Sequence, residues 1–175
     1  GVSQIRLYMV SPRDKVPWDK LGMHEYEMML SSETTCNRFN SKLDIHGRST
    51  NRSWYANIGL TYSKEGGHYI AAYISDIDTP YHYSRHIKSA KIDKWYRFGI
   101  NITTVGGRLK FEFYVNGNLK LTEIPVNSGQ TSGPNESYYP TRSLHIYRTE
   151  DETKGKAVVY YNNIYGRYNK IVRYE

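Results

Sequence analysis

Apolar and polar residues alternate along several short stretches of the chain, and the alternation is most regular at 109–116. One face of an extended strand would carry the four apolar residues Leu109, Phe111, Phe113 and Val115. The stretch ends at Asn116-Gly117, a pair that readily adopts positive φ and favours a two-residue hairpin turn. The pattern therefore predicts a half-buried strand, a tight turn, and a returning strand at 118–124.

Other short segments predict further strands. Segment 95–104 is rich in aromatic and β-branched residues, and Gly106-Gly107 after it favours a second hairpin into the strand at 109. Short strands flanked by Gly, Asn, Asp or Ser are also predicted at 25–31, 53–62, 68–75, 143–149 and 157–165. Segment 127–140, which is rich in Gly and Pro, predicts a long polar loop. Because no stretch shows helical periodicity, we predict an all-β fold, a two-sheet antiparallel β-sandwich with little helix.

Size and composition fit one compact domain, residues 1–175. The chain has 175 residues, of which 38% are hydrophobic and 14% aromatic, so it can bury a core without disulfides or metals. Cys36 is the single cysteine, which excludes an intramolecular disulfide and a cysteine-based zinc cage. The net charge of +7 favours anionic partners such as acidic polysaccharide, nucleic acid or a charged surface.

The sequence also bears on where the protein acts. No apolar run approaches the roughly 20 residues that cross a bilayer, and Gly1 to Leu7 lacks the pattern of a signal peptide. We therefore predict a soluble chain without a membrane span. Sequons at Asn51, Asn101 and Asn135 are suited to glycosylation. They favour a protein that is secreted or displayed on a cell or virion surface.

Three segments of the second half follow a familiar order. Segment 94–100 opens a strand with Lys-Trp-Tyr-Arg-Phe-Gly-Ile, 109–117 ends in Tyr-Val-Asn-Gly, and 158–165 forms a late aromatic strand. This order resembles the concanavalin A-like jelly-roll superfamily, which includes laminin-G-like modules, carbohydrate-binding modules, glucanases and several polysaccharide lyases. The chain lacks the Glu-x-Asp-x-x-Glu strand of the glucanases and the arginine-rich, Gln-x-His and Tyr-rich strand motifs of the alginate lyases. The resemblance therefore implies a jelly-roll architecture more than an activity.

The polar side of the strand at 109–116 is the first candidate for a binding face. A tyrosine ring can stack on a sugar and its hydroxyl can donate a hydrogen bond, and the chain has 18 tyrosines. We assign ligand binding to Lys110, Glu112, Tyr114, Asn116, His145 and Tyr147. The leading hypothesis is a lectin-like domain that recognises an acidic polysaccharide through a basic, Tyr-rich sheet face. An ordinary half-solvated strand would have the same composition.

A second hypothesis is a polysaccharide lyase that cleaves a uronate-containing polymer by β-elimination. In such enzymes a Tyr or His abstracts the proton beside the uronate carboxyl, while Arg, Asn or Gln neutralises that carboxyl. Segment 81–86 combines aromatic rings, imidazoles and a guanidinium. The candidate catalytic residues are His46, Arg48, Tyr81, His82, Tyr83 and Arg85. The alternative is that these residues decorate an exposed strand.

Carboxylates and histidines give weaker indications. Glu25 and Glu27 would share one strand face at a spacing that suits glycoside hydrolysis, although a solvated outer face explains them better. Asp76 and Asp78 could contribute oxygens to calcium, although a turn also explains them. The six histidines have no zinc-motif spacing, so we expect no metal site and no cofactor, with calcium left open.

Two further classes of function are carried as alternatives. Nucleic acid ranks below polysaccharide, because the basic residues are dispersed and no RNP-like, helix-turn-helix or zinc-finger motif occurs. A structural surface or capsid-type subunit is the third hypothesis, with self-association through exposed edge strands. On balance the sequence favours binding over catalysis.

Overall fold

The computed structural model describes residues 3–9, 16–17, 22–35, 38–48, 53–63, 67–76, 82–125, 137–138, 141–148, 155–168 and 170–174. Every regular element among these residues is a β-strand. Within the same residues, no helix is long and apolar enough to cross a membrane.

Sheet I contains six antiparallel strands. Their order is β1 (Ser3–Met9), β12 (Thr141–Arg148), β4 (Arg38–Arg48), β5 (Ser53–Ser63), β6 (Gly67–Asp76) and β7 (His82–Ser89). Strands β4 to β7 follow one another along the chain as a meander. Strands β1 and β12 come from opposite ends of the chain and complete the sheet beside β4.

Sheet II also contains six antiparallel strands. Their order is β10 (Asn118–Glu123), β9 (Arg108–Val115), β8 (Trp95–Val105), β3 (Gly22–Leu30), β13 (Val159–Tyr168) and β14 (Lys170–Tyr174). A separate ribbon pairs β2 (Val16–Pro17) with β11 (Ser137–Tyr138). The two residues of β11 fall inside the segment predicted as a long polar loop, and the rest of that segment lies outside the described residues.

Alternate residues of β3, β5, β6, β8 and β9 form the core between the two sheets. Strand β9 alternates between buried and half-buried along its whole length, and Leu109, Phe111, Phe113 and Val115 are at most 1% exposed. The predicted apolar face is thereby confirmed. Across the core, the Tyr26 hydroxyl donates a hydrogen bond to the Ile58 carbonyl at 2.9 Å, which links sheet II to sheet I.

Both predicted hairpins are confirmed. At the β9–β10 turn, Asn116 has a φ of 53° and Gly117 a φ of 76°, as a type I′ turn requires. The β8–β9 turn has a φ of 55° at Gly106 and 73° at Gly107. With the two sheets packed on one core, the predicted all-β, two-sheet antiparallel sandwich is confirmed as well.

Candidate functional site

A groove lies on the outer face of sheet I, away from the core. It has a volume of about 410 Å³ and is lined by side chains of four adjacent strands, β4 to β7. We call it the sheet I groove. It exists because the odd-numbered residues of β5 and β6 face away from the core, opposite the buried even-numbered ones.

Small residues form the floor of the groove. Backbone pairing places Lys42, Gly59, Ala71 and His86 in one row across β4, β5, β6 and β7. Directly paired residues in antiparallel strands point to the same side of a sheet, and all four line the groove. Gly59 and Ala71 leave the middle of the row low. Lys42 and His86 stand at its two ends, three strand spacings or about 14 Å apart.

Gly59 is required by the close approach of β4 to β5. A Cβ at this position would lie 2.0 Å from the Ser41 carbonyl oxygen and 2.7 Å from the Lys42 Cα. On the other side of β4, the Ser41 hydroxyl is hydrogen bonded to the Tyr161 hydroxyl of β13. A side chain at position 59 would therefore require a shift of β4 or β5, and a shift of β4 would disturb its bond to β13.

Asn57 supplies an unpaired donor beside the floor. The residue is 2% exposed and lines the groove, and its Nδ2 has no hydrogen-bond partner within the described part of the chain. A buried polar group without a partner costs about 1–3 kcal/mol, so native structures pair almost all of them. An oxygen of a bound ligand would provide the missing acceptor.

Aromatic rings on β6 flank the floor of the groove. Tyr69 and Tyr73 stand on either side of Ala71 on β6 and line the groove. The Tyr69 ring lies against the His86 imidazole with centroids 4.7 Å apart, and the Tyr73 ring meets Tyr55 edge-on at 6.0 Å. These contacts hold two phenol rings and one imidazole in place before any ligand arrives.

The candidate catalytic residues from the sequence are distributed over several places. Tyr83 packs against the core, and the Arg85 guanidinium lies 4.7 Å from its ring, so both lie on the side of β7 away from the groove. His46 pairs with Tyr55, Arg48 with Ser53 and His82 with Ser75 in the backbone register. The side chains of His46, Arg48 and His82 lie outside the described ones, as does the whole of Tyr81.

Four of the proposed ligand-binding residues lie on sheet II. The Lys110 Nζ is 2.6 Å from Glu112 Oε1, and Asn101 Nδ2 donates to Glu112 Oε2 at 2.8 Å. Burial acts to raise the pKa of the Glu112 carboxyl, but the hydrogen bonds from Lys110 and Asn101 outweigh it and hold that pKa below its ordinary value. Burial and the Glu112 charge raise the pKa of Tyr114. At the turn, Asn116 Oδ1 accepts a hydrogen bond from the Arg97 N–H at 3.0 Å.

The other two proposed ligand-binding residues lie beside the groove in the backbone register. His145 of β12 pairs with Lys42, and Tyr147 pairs with Asn40, another lining residue. Their side chains lie outside the described ones. The structure therefore brings two of the six residues next to the groove and leaves four on the opposite sheet. There Lys110 and Tyr114 interact with Glu112, and Asn116 is bonded to the backbone of Arg97.

Sequence analysis missed the residues that line the groove most directly: Lys42, Asn57, Tyr69, Tyr73 and His86. A signal was present for β4, because Phe39, Leu43 and Ile45 alternate with polar residues in the sequence. His86 belongs to the segment that was singled out, but the set chosen there contained its neighbours. A pattern in one strand does not show which residues of other strands lie beside it.

The acidic candidates have other surroundings. Glu25 Oε2 forms an ion pair with the Arg97 guanidinium at 2.8 Å, and Glu27 Oε2 accepts a hydrogen bond from Asn162 Nδ2 at 3.4 Å. Asp76 ends β6, and Asp78 lies outside the described residues. Among the residues that are described, no three or more His, Cys, Asp or Glu side chains are grouped so that they could hold a metal ion.

Solved structures share this architecture at low sequence identity. An alginate lyase, Aly36B, in complex with an alginate tetrasaccharide is 12% identical over 87% of this chain and 70% of its own, with a TM-score of 0.58. The chain has a jelly-roll β-sandwich fold. A glycoside hydrolase family protein from Mycobacterium thermorestibile is 12% identical over 91% of this chain and 73% of its own, with a TM-score of 0.53.

A third solved structure shows how widely the chemistry on this fold varies. Scytalido-glutamic peptidase is 9% identical over 90% of this chain and 79% of its own, with a TM-score of 0.51. No protein-family model and no curated protein sequence matches the chain. At this level the likeness concerns the fold alone, so the function has to be argued from the groove.

Proposed function

We propose that the protein binds an acidic polysaccharide in the sheet I groove. The observation that carries the proposal is the buried Nδ2 of Asn57, which has no partner among the described residues and lies next to a floor that begins at Lys42. An amide donor and an ammonium group bordering one open space suit a carboxylate, which accepts hydrogen bonds at both oxygens. Tyr69 and Tyr73 add ring faces and hydroxyls of the kind that contact sugars.

Charge favours an acidic over a neutral ligand. The whole chain carries a net charge of +7, and the groove lining within the described residues contains Lys42 and His86 but no Asp or Glu. Asp44 pairs with Asn57 in the backbone register, and its side chain is outside the described ones. Glycoside hydrolysis requires two carboxyl groups flanking the bond, so the described lining suits binding of a polyanion better than hydrolysis.

Cleavage by β-elimination is the second candidate, favoured by the aromatic rings of Tyr69 and Tyr73 in the lining that also contains Lys42 and Asn57. In that reaction a base removes the proton on the carbon next to the uronate carboxyl, a carbon–carbon double bond forms, and the glycosidic C–O bond breaks. The released oxygen then takes a proton. Tyr69, Tyr73 or His86 would exchange protons, while Lys42 and Asn57 would stabilise the charge that develops on the carboxylate.

The comparison adds support of a general kind. The alginate lyase of similar fold was solved with an alginate tetrasaccharide, which is a chain of uronates. That observation belongs to the other protein. It makes a uronate polymer the first ligand to test here. For the same reason we propose that the protein is located where polysaccharides occur, outside the cell or on its surface.

Affinity gel electrophoresis tests the binding proposal. Alginate or polygalacturonate in the gel should retard the wild-type protein, and Lys42→Ala and Asn57→Ala should remove most of the retardation. Lys110→Ala is the matched control, because that lysine is paired with Glu112 on the other sheet. The proposal fails if neither uronate polymer retards the protein, or if both groove variants are retarded like the wild type.

Absorbance of the unsaturated product separates cleavage from binding. A lyase should generate that absorbance from a uronate polymer. If the hydroxyl of Tyr69 or Tyr73 transfers the proton, the corresponding Tyr→Phe variant should form the product more slowly. Binding without any product would leave the protein as a lectin-like domain. Asp44→Asn should keep lyase activity, whereas a hydrolase that uses Asp44 would lose it.

A further inference from the structure

A second surface with exposed rings lies on the outer face of sheet II. Backbone pairing places Trp95 of β8 and Tyr160 of β13 on either side of Met29 of β3. Directly paired residues share a face, so the three form one row, which we call the aromatic strip. Trp95 is 43% exposed and Tyr160 45% exposed, whereas Met29 between them is half-buried.

The strip has the geometry of a stacking surface. The two rings are held two strand spacings apart, about 10 Å, which spans a short piece of a sugar chain. The Trp95 indole N–H has no hydrogen-bond partner among the described residues, so it can donate to a hydroxyl. The Tyr160 hydroxyl donates to Glu33 Oε1 at 3.4 Å, which restrains that ring.

Two cations beside the strip are held in ion pairs. Arg97, two residues after Trp95, is paired with Glu25 at 2.8 Å, and Lys156 is paired with Glu33 at 3.2 Å. Lys94 lies near the ring of Tyr96, a residue of the core, with its Nζ 5.7 Å from the centroid. Exposed rings beside these ion pairs offer apolar contact, which suits an uncharged ligand.

From this row we propose that the aromatic strip is a second glycan-binding surface and that its ligand is an uncharged pyranose chain. The C–H faces of such sugars stack on aromatic rings, and their hydroxyls can accept the indole N–H. This goes beyond the proposed function, because it concerns a different surface and a different ligand class. The protein would then hold a neutral polymer on sheet II while an acidic chain occupies the sheet I groove.

Tryptophan fluorescence and affinity gels test the strip with defined neutral probes. Cellohexaose and laminarihexaose are titrated in solution, and hydroxyethyl cellulose and laminarin are cast in gels. At least one of the two backbones should quench or shift the fluorescence and retard the wild-type protein. Trp95→Ala and Tyr160→Ala should each weaken binding by about tenfold, the effect of losing one stacked ring. Leu119→Ala is the matched control, because Leu119 is equally exposed on β10, away from the strip.

The outcomes separate this inference from the proposal for the groove. If no neutral probe binds, or if Trp95→Ala binds as tightly as the wild type, the strip is not a glycan site. A dimer in the wild type that Trp95→Ala dissolves would identify a second copy as the occupant and also overturn the inference. Lys42→Ala should lose alginate binding and keep neutral binding, so either surface can fail without the other.

Discussion

The outer faces of the two sheets use similar polar residues in opposite ways. On sheet II, Glu112 receives hydrogen bonds from both Lys110 and Asn101, so both of its carboxylate oxygens already have partners within the sheet. On sheet I, the Nδ2 of Asn57 is buried without a partner in the described part of the chain. Residue type therefore does not distinguish a binding face from an ordinary solvated one. The difference lies in whether the polar atoms are already satisfied.

The two faces also differ in relief. On sheet I, Gly59 and Ala71 are adjacent in one row, whereas on sheet II Gly99 lies between the larger residues Tyr114 and Glu25 in the backbone register. Tyr73 pairs directly with Asn57, so a ligand would approach the buried amide from the side of Gly59. The following predictions test this contrast.

The largest effect is expected when the floor of the groove is filled. Gly59→Ala would place a Cβ 2.0 Å from the Ser41 carbonyl oxygen, so β4 or β5 must shift. We expect a loss of about 2–4 kcal/mol in the free energy of unfolding, measured by urea denaturation. Ala71→Gly is the control, which adds no atoms and should cost only about 0.5–1 kcal/mol. A Gly59→Ala variant as stable as the wild type would show that the close approach does not constrain the floor.

Two asparagines test the contrast directly. Asn57→Ala removes a donor that has no partner among the described residues, so uronate binding should fall by about 10–100-fold while the free energy of unfolding should not fall. Asn101→Ala removes a bond to Glu112 on sheet II, so stability should fall by about 1 kcal/mol and binding should not change. Gel retardation and urea denaturation measure both quantities. If Asn101→Ala lost uronate binding and Asn57→Ala lost only stability, the binding face would be on sheet II and not on sheet I.

Tyr114 distinguishes the sequence-based binding face from the groove. If the groove holds the polysaccharide, Tyr114→Ala should leave uronate binding within about twofold of the wild type. A substantial loss of binding, with the melting temperature retained, would instead support the face of Lys110, Glu112 and Tyr114. Tyr114→Phe is the companion variant, because it removes only the hydroxyl.

The smallest effect concerns a satisfied carboxylate at the junction of the two sheets. Asp93, between β7 and β8, accepts a hydrogen bond from the Ser32 N–H at 2.8 Å, and bonding to Ser32 lowers its pKa below the ordinary 3.8. A lowered pKa contributes stability above about pH 3.8 that is lost as the pH falls further. Asp93→Asn should therefore be slightly less stable than the wild type at neutral pH and converge with it in acid. Urea midpoints across that range check the sign, and uronate binding at neutral pH should not change.

The strands that sequence analysis located are those with strict alternation or a clear turn. Leu109 to Val115 alternate fully, and Asn116-Gly117 fixes the turn through backbone sterics alone, so both were predictable. Strand β4 was missed although Phe39, Leu43 and Ile45 alternate with polar residues. The residues that follow this strand are polar and include no pair such as Asn-Gly that would mark a tight turn. Local patterns locate strands and their faces.

The groove could not be derived in the same way. Its residues come from four strands, and their adjacency depends on the pairing register, which no local pattern contains. The pairing of β6 with β7 shifts between Ile70 and Ala71, so that Ile70 pairs with Lys88 and Ala71 with His86. That irregularity helps decide which side chains of β7 line the groove. The binding residues proposed on 109–116 remain a prediction that the Tyr114 variants test.

The strand order also has a consequence for how the protein folds. The groove is lined by β4, β5, β6 and β7, which are joined in sequence as hairpins, so its contacts have short separations along the chain. By contrast, β3 pairs with β13, more than a hundred residues away. Contacts between near neighbours lose less loop entropy when they form. We expect the meander that carries the groove to be formed early in the folding transition state, and the closure of sheet II by β13 to come late.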